Sequence, residues 1–197
     1  MILKVTDKQV VVEAAKILRA GGVVMHPTET CYGFAVDVRN SVALAKLYKL
    51  KGRDAHKPVS ILVADLEMAK KYGEFSEKAL GLAEKYWPGP LTILVPRSEN
   101  LPENFNIGQG FVGIRYPDHK FSRELVKAFG SAITTTSANL SGEPPLYEAD
   151  VESFGELASL IGLVVDGGKI PLNKPSTIVK VVGGEIEIVR MGGLILG

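Results

Sequence analysis

Residues 176–190 read STIVKVVGGEIEIVR, and this stretch indicates which kind of sheet the chain builds. Two runs rich in β-branched residues flank the turn GGE at 183–185, a pattern typical of a β-hairpin. A hairpin joins antiparallel neighbours, whereas each connection between parallel strands needs a crossover of about a dozen residues or more. The stretch therefore favours a mixed sheet over a purely parallel one.

Upstream of the hairpin, short apolar runs alternate with helical patterns almost without interruption. Strands are predicted at 2–5, 23–26, 32–38, 59–64, 91–96, 111–117, 131–137 and 162–166. Helices are predicted from a cap at Thr6 or Asp7 to Gly21-Gly22, from a cap at Asn40 or Ser41 to Gly52, and near 66–72, 76–86, 120–129 and 150–161. This pattern predicts one α/β domain over 1–197, with a twisted mixed sheet flanked by helices.

Composition excludes several classes of protein. The net charge of +1 gives no general attraction to nucleic acid or membranes, so any anion site must come from local clustering. The single cysteine, Cys31, excludes an intrachain disulfide and a cysteine-based zinc cluster. No apolar run reaches the roughly 18 residues of a membrane span, and the N-terminus lacks a signal-peptide pattern. We therefore expect a cytoplasmic protein with no membrane partner.

Five segments place polar residues directly beside predicted core strands, where a rigid scaffold can aim them into a cleft. They are HPTETCYG (26–33), KGR (51–53), VGIRYP (112–117), TTTSANLSG (134–142), and a tail segment that combines KPSTIV (174–179) with VRMGG (189–193). Hydroxyl groups and Asn139 at the edge of a strand suit phosphate oxygens, although Ser/Thr-rich loops are also common without function.

The cations in these segments each have two explanations. Lys51 and Arg53 follow a predicted helix, where they either favour the helix dipole or, with Gly52 freeing the backbone, converge on one phosphate chain. Arg115 ends an apolar strand, which predicts a carboxylate partner from the protein or from a ligand. Under either explanation, Lys51 and Arg53 lie at the C-terminal end of the helix that is predicted to end at Gly52.

Other nucleotide, metal and nucleophile signals are weak. The phosphate-loop patterns GxxxxGK[ST] and GxGxxG do not occur in a usable context. The three histidines, His26, His56 and His119, have no metal-ligand spacing, so no metal-binding residue is predicted. Cys31 is interpreted as small core filler, with a nucleophilic role beside His26 or His56 as the alternative.

Taken in order along the chain, seven motifs resemble the YrdC-type family of threonylcarbamoyl-AMP synthases. They are PTETCYG, KGR before an apolar strand, YWPGPLTILV, GIRYP, TTSANLSG, PSTIV and VRMG. The hallmark of that family is Lys-x-Arg followed far downstream by Ser-x-Asn, here Lys51/Arg53 and Ser137/Asn139. The resemblance implies a large concave, positively lined cavity and the conversion of L-threonine, bicarbonate and ATP to threonylcarbamoyl-AMP and pyrophosphate. That reaction is the first step toward N6-threonylcarbamoyladenosine in tRNA.

The resemblance also implies a role for particular residues. The nucleotide set is Lys51, Arg53, Thr135, Ser137, Asn139 and Arg190, of which Lys51 and Arg53 are the catalytic residues. The threonine set is Thr28, Tyr32, His56, Arg115 and Ser176. Mg²⁺ is expected to arrive on the ATP phosphates rather than on protein ligands. The expected partners are the three substrates, tRNA, and the complex that transfers the threonylcarbamoyl group to tRNA. No general base is identified.

One position departs from the family pattern. The residue before the proline that follows KGR is often His or Asn in the family, whereas here it is Lys57, with His56 one position earlier. Contact between His56 and the substrate is therefore open. Longer family members carry a further C-terminal domain after a linker, and this chain is expected to be the short form.

Three alternatives to the synthase remain. A double-stranded RNA-binding protein would use the same basic concavity, but a net charge of +1 gives it little electrostatic attraction for a phosphate backbone. A synthase-inactive paralogue of the same fold can lose the Ser-x-Asn pair, which is present here. The carbamoyl-transfer modules of hydrogenase maturation factors lie in longer chains with zinc-finger segments.

Overall fold

The strands lie where apolar, β-branched runs are bounded by turn residues, as the sequence pattern predicts. The computed structural model describes residues 1–54 and 57–197. The strands of this part are β1 (Ile2–Lys4), β2 (Val23–His26), β3 (Gly33–Ala35), β4 (Ser60–Leu62), β5 (Leu91–Pro96), β6 (Phe111–Arg115), β7 (Ile133–Ser137), β8 (Ile161–Asp166), β9 (Thr177–Val182) and β10 (Glu185–Arg190). The α-helices are α1 (Val10–Arg19), α2 (Ser41–Lys51), α3 (Leu66–Tyr72), α4 (Glu77–Tyr86) and α5 (Lys120–Phe129), and a 3₁₀ helix covers Glu152–Leu160.

The strands form one ten-stranded sheet in the order β1-β8-β2-β3-β7-β4-β6-β5-β9-β10. Four neighbouring pairs are parallel, namely β1/β8, β2/β8, β4/β6 and β5/β9. The other neighbours are antiparallel, including the β9/β10 hairpin that pairs Glu185 with Val182. The prediction of a mixed sheet with flanking helices is therefore confirmed.

Alternating side chains along the central strands enter two separate apolar cores, one on each face of the sheet. Val24 of β2 packs with Leu18 of α1 and Leu125 of α5. Its neighbour Met25 belongs instead to the core that contains Leu47 of α2. Because successive strand residues point to opposite faces, both faces of this part of the sheet are covered.

Two helix boundaries differ from the prediction. Helix α1 begins at Val10, with Gln9 as an N-cap that makes no side-chain cap bond; the predicted caps at Thr6 and Asp7 are wrong. The Asp7 carboxylate accepts a hydrogen bond from the Lys4 backbone N–H instead, at 2.8 Å, and so closes a turn before the helix. The predicted helix near 150–161 is a 3₁₀ helix, interrupted at Gly155 where φ is +52°.

Helix α2 has the predicted boundaries. The Asn40 side chain accepts a hydrogen bond from the Ala43 N–H at 3.0 Å, and Gly52 ends the helix in the left-handed conformation at φ +56° and ψ +34°. This cap pair orients Lys51 and the segment that follows it. No helix among residues 1–54 and 57–197 combines the length and apolar character needed to cross a membrane.

Candidate nucleotide and amino-acid site

Strand β7 lies at the centre of the region that holds the predicted site residues. It pairs antiparallel with β3, where Ser137 is opposite Gly33, and antiparallel with β4, where Thr135 is opposite Ser60. A Cβ on Gly33 would lie 3.1 Å from the Thr136 carbonyl oxygen, so the absence of a side chain permits this close approach. The register brings the turn after β2 beside the end of β7.

A cavity of about 410 Å³ opens between these elements. Its wall contains predicted residues from both ligand sets, namely Arg53, Thr135, Ser137, Asn139 and Arg190 from the nucleotide set and Arg115 and Ser176 from the threonine set. Three of these are arginines that come from separate parts of the chain. The local positive charge thus arises from folding, although the whole chain carries a net charge of only +1.

Lys51 connects the two halves of the Lys-x-Arg and Ser-x-Asn pattern. Its Nζ donates to the Ser137 carbonyl at 2.6 Å and to Asn139 Oδ1 at 2.8 Å, across 86 and 88 residues of sequence. The side chain is almost completely buried. This burial, with a smaller contribution from the Arg53 cation, lowers the pKa of Lys51 to about 8.

The neighbours of Lys51 are themselves held in place. The Ser137 hydroxyl donates to Asn139 Oδ1, and Asn139 Nδ2 donates to the Leu140 and Glu143 carbonyls at 2.7 Å each. Asn139 therefore fixes the loop after β7 while it accepts from Lys51. Arg53 donates from Nη2 to the Pro58 carbonyl at 2.8 Å, and its buried Nε has no hydrogen-bond partner among the described residues.

Arg115 finds the carboxylate partner that its burial requires within the protein. Its Nη2 lies 2.8 Å from Glu29 Oε1 and donates to Thr30 Oγ1 at 3.2 Å. Its Nε, which is also buried, has no partner in the described part of the chain. The sequence motifs assigned no role to Glu29, although the residue lies between Thr28 and Thr30 in a segment already singled out.

A further arginine, Arg190, lines the cavity and contacts Ser176. Arg190 Nη2 donates to the Ser176 carbonyl at 2.8 Å and to Ser176 Oγ at 3.0 Å. Ser176 Oγ is also 3.0 Å from Thr92 Oγ1, a buried wall residue that lies within the motif YWPGPLTILV but was assigned no role from the sequence. Desolvation lowers the pKa of Arg190, and the Arg115 cation lowers it further. These arginines therefore share one electrostatic environment that favours an anion.

Two described residues of the threonine set, Thr28 and Tyr32, do not line the cavity wall. The Thr28 hydroxyl is buried and donates to the Cys31 carbonyl at 2.7 Å, which shapes the turn after β2. The Tyr32 hydroxyl donates to the Gly168 carbonyl at 2.8 Å and accepts from the Gly167 N–H at 2.9 Å. His56 lies outside the described residues. The assignment of all three to threonine stays a prediction.

Cys31 lies in the cavity wall, half-buried. Burial raises the pKa of its thiol, even though the Arg115 cation acts in the opposite direction. His26, the nearest candidate base in sequence, is fully buried and makes its contacts with the Pro27 carbonyl at 3.1 Å and the Ser122 hydroxyl at 3.3 Å. Burial lowers the pKa of His26 to about 4. This geometry does not form a Cys31–His26 nucleophile pair.

The described part of the chain contains no group of three His, Cys, Asp or Glu residues arranged to hold a metal ion. The polar wall of the cavity is rich in guanidinium, amide and hydroxyl groups. Such groups bind phosphate and carboxylate oxygens well and coordinate cations poorly. The arrangement is therefore suited to an anionic ligand.

Comparison with known proteins agrees with this chemistry. A family model of the Sua5, YciO and YrdC proteins, described as telomere recombination, matches residues 16–192. The chain is 34% identical over 194 residues to the threonylcarbamoyl-AMP synthase of Bacillus subtilis, covering 98% of this chain and 56% of that protein. It is 37% identical over 173 residues to the threonylcarbamoyl-AMP synthase of Thiobacillus denitrificans, covering 86% of this chain and 89% of that protein.

Solved structures have the same architecture. The crystal structure of P. abyssi Sua5 complexed with L-threonine superposes with a TM-score of 0.90 at 31% sequence identity, covering 98% of this chain and 58% of that one. The chain thus spans little more than half the length of the Bacillus subtilis and P. abyssi proteins.

Proposed function

Because this chain belongs to the Sua5–YciO–YrdC family, we propose that it is an L-threonylcarbamoyladenylate synthase. It would convert L-threonine, bicarbonate and ATP to threonylcarbamoyl-AMP and pyrophosphate. The observation that carries the proposal is the contact of Lys51 with Ser137 and Asn139 in the wall of a cavity that also contains three arginines. The names of the Bacillus subtilis and Thiobacillus denitrificans relatives support it.

The nucleotide would occupy the part of the cavity between α2 and the end of β7. Lys51 and Arg53, the proposed catalytic residues, flank Gly52. Arg53 lines the cavity, and Lys51 is buried beside the wall residues Ser137 and Asn139, so a planar fork and a point charge would act on the same phosphate chain. Thr135, Ser137 and Asn139 would supply hydroxyl and amide groups beside them, and Arg190, which lines the same cavity, would add a further cation. Mg²⁺ would enter as part of the MgATP substrate and neutralise the remaining phosphate charge.

Threonine would bind nearer to Arg115. A guanidinium binds a carboxylate through parallel hydrogen bonds, and Arg115 lies in the cavity wall with Thr30 and Ser176. The Ser176 hydroxyl, between Arg190 and Thr92, is positioned to contact the polar side of the substrate. Thr28 and Tyr32 would act from behind the wall by holding the turn after β2, and His56 is the remaining proposed contact. L-threonine is bound in the P. abyssi protein, which supports this assignment.

The chemistry needs positioning more than proton transfer by the protein. The ammonium of threonine and bicarbonate combine to a carbamate, with loss of water and a proton. A carbamate oxygen then attacks the α-phosphorus, and the bond to the β-phosphate oxygen breaks as pyrophosphate leaves. Negative charge accumulates on the phosphates during this step, so fixed cations at Lys51, Arg53 and Arg190 would lower its barrier. The product would pass to the complex that modifies tRNA, in the cytoplasm.

The test is pyrophosphate release from MgATP by the purified protein, measured with and without L-threonine and bicarbonate. We expect release that requires both, with threonylcarbamoyl-AMP detected by mass spectrometry. Arg53→Ala is the matched inactive variant, and Arg19→Ala, on the exposed face of α1, is the control that keeps activity. Pyrophosphate release that does not depend on threonine would contradict the synthase. The absence of release together with tight binding of duplex RNA would contradict it in favour of the RNA-binding alternative.

A further inference from the structure

Glu29 has contacts that the proposed reaction does not by itself explain. Its carboxylate is mostly buried, with 18% of the side chain exposed, and it lies behind the cavity wall rather than in it. Oε1 contacts Arg115 Nη2 at 2.8 Å and accepts from the Asp118 backbone N–H at 3.0 Å. One carboxylate oxygen thus connects the turn after β2 to the end of β6 and to the loop that leads into α5.

The backbone of Glu29 makes a further connection. Its carbonyl accepts from Asn173 Nδ2 at 2.9 Å, and the Asn173 carbonyl accepts from the Tyr147 hydroxyl at 3.2 Å. Tyr147 lies in the cavity wall, as does Ser176 a few residues beyond Asn173. Glu29 therefore contacts three segments, namely the end of β6, the loop before α5 and the segment that contains Asn173.

Two roles are compatible with a carboxylate beside a ligand-binding arginine. Glu29 either occupies Arg115 only until a substrate carboxylate displaces it, or it stays and holds the guanidinium in place. Displacement would break two contacts of Oε1 at once, the ion pair with the buried Arg115 and the hydrogen bond from the N–H of the exposed residue Asp118. Staying requires free donors: a guanidinium has five N–H bonds, and the described contacts with Glu29 and Thr30 both involve Nη2, which leaves Nε and Nη1 for a ligand. The contacts therefore favour the second role.

We propose that Glu29 is a positioning residue that holds Arg115 in the rotamer that receives the carboxylate of the amino-acid substrate. This inference rests on the proposed function for the identity of that substrate. A long arginine side chain loses rotamer freedom when it binds a ligand, and a chain already fixed by the protein loses less. Glu29 thus acts on amino-acid affinity through Arg115 and leaves the nucleotide contacts of Lys51 unchanged.

The test compares ligand affinities of Glu29→Ala, Glu29→Asp and Glu29→Gln by isothermal titration calorimetry. We expect Glu29→Ala to raise the Kd for L-threonine about tenfold and to change the Kd for ATP less than about twofold. Glu29→Gln keeps an acceptor for Asp118 and Arg115, so it should recover most of the affinity. Glu29→Asp keeps the charge but is one methylene shorter, and its affinity should lie between that of Glu29→Ala and that of the wild type. Glu67→Ala, which removes an exposed ion pair with Lys70 on α3, is the control.

A second measurement separates this proposal from the proposed function. In protein labelled with ¹⁵N-arginine, the Arg115 Nε–H signal, assigned with Arg115→Lys, should exchange slowly with solvent in the wild type and faster in E29D. That result supports the positioning role of Glu29 even if the wild type releases no pyrophosphate. Three outcomes would each overturn the proposal. The first is an unchanged threonine affinity in both E29A and E29D, and the second is an equal loss of affinity for threonine and ATP. The third is an unchanged exchange rate of the Arg115 Nε–H in E29D. If E29A does not fold, E29D and E29Q alone decide it.

Discussion

Lys51 is the residue at which burial and function conflict most directly. A buried ammonium favours loss of its proton, whereas a triphosphate needs the charge. Two oxygen acceptors, from Ser137 and Asn139, keep a polar environment around Nζ, yet the pKa of Lys51 falls from 10.5 to about 8. The lysine therefore remains mostly charged at neutral pH but stands close to the pH at which it would lose its proton.

This pKa predicts how ATP affinity depends on pH. Under the proposed function, ATP would bind through charged Lys51, and the bound phosphates would raise the pKa of Lys51 in the complex. Affinity should thus be constant below about pH 8 and fall as pH rises above that value, by no more than about tenfold per pH unit because one proton is involved. Titration calorimetry between about pH 7 and pH 9.5, a range that brackets this pKa, measures it.

The matched variant is Lys51→Met, which keeps most of the length of the side chain without a charge. ATP should bind it more weakly than the wild type at neutral pH, and the decline at alkaline pH should disappear. A decline of the same size in Lys51→Met would assign the pH dependence to another group.

At the residue level, the sequence motifs singled out residues that the fold brings together. Lys51 contacts Ser137 and Asn139, and Arg53 lines the same cavity as those two residues, while the roles of all four stay predictions. Glu29 was missed because its importance comes from the position of Arg115, which lies 86 residues away and is adjacent only after folding. The sequence patterns do not show which carboxylate will form an ion pair with a buried arginine.

At the scale of elements, the end of α2 links helix geometry to the site. Gly52 adopts φ +56°, and its N–H bonds to the Lys49 and Tyr48 carbonyls as the helix ends. A Cβ at this position would meet no atom within 4 Å, so only the backbone conformation disfavours other residues. The orientation of Lys51 and Arg53 relative to each other depends on this turn.

Gly52→Ala should therefore lower the free energy of unfolding by about 1 kcal/mol, because an alanine in the left-handed region is strained. It should also weaken ATP binding, since relaxing the turn moves Arg53. Urea denaturation and ATP titration measure the two effects.

Gly81→Ala in α4 is the control for this substitution. Gly81 lies inside a helix, and a Cβ at this position would likewise meet no atom within 4 Å. Alanine should therefore stabilise the protein by about 0.5–1 kcal/mol without changing ATP affinity. Equal destabilisation by both substitutions would show that the conformation of Gly52 is not the cause.

Elements were easier to predict than their arrangement. The apolar runs located most strands, and Asn40 and Gly52 marked both ends of α2. The order of the strands was not predictable, because β7 lies between β3 and β4 although it follows them by many residues. The cap of α1 was predicted wrongly because Asp7 closes a turn with Lys4. Local patterns contain no information that separates these uses of an aspartate.

On the scale of the whole molecule, the charge distribution matters more than the net charge. A chain with a net charge of +1 still places Arg53, Arg115 and Arg190 around one cavity. These arginines come from the end of α2, from β6 and from β10, which occupy separate positions in the fold. A ligand that bridges them connects distant parts of the sheet, so its binding should stabilise the folded molecule as a unit.

Ligand binding should accordingly raise the melting temperature. A ligand at about 100 times its Kd adds about 2.7 kcal/mol to the free energy of unfolding, which corresponds to about 5–10 °C for a chain of this size. Asn139→Ala should reduce the shift produced by ATP, because Lys51 loses an acceptor, and should leave the shift produced by threonine. Arg115→Lys, which keeps a cation beside Glu29, should reduce the shift produced by threonine and leave the shift produced by ATP. Differential scanning fluorimetry with each ligand measures both melting-temperature shifts. An equal loss of both shifts in either variant would contradict the separation of the cavity into a nucleotide side and an amino-acid side.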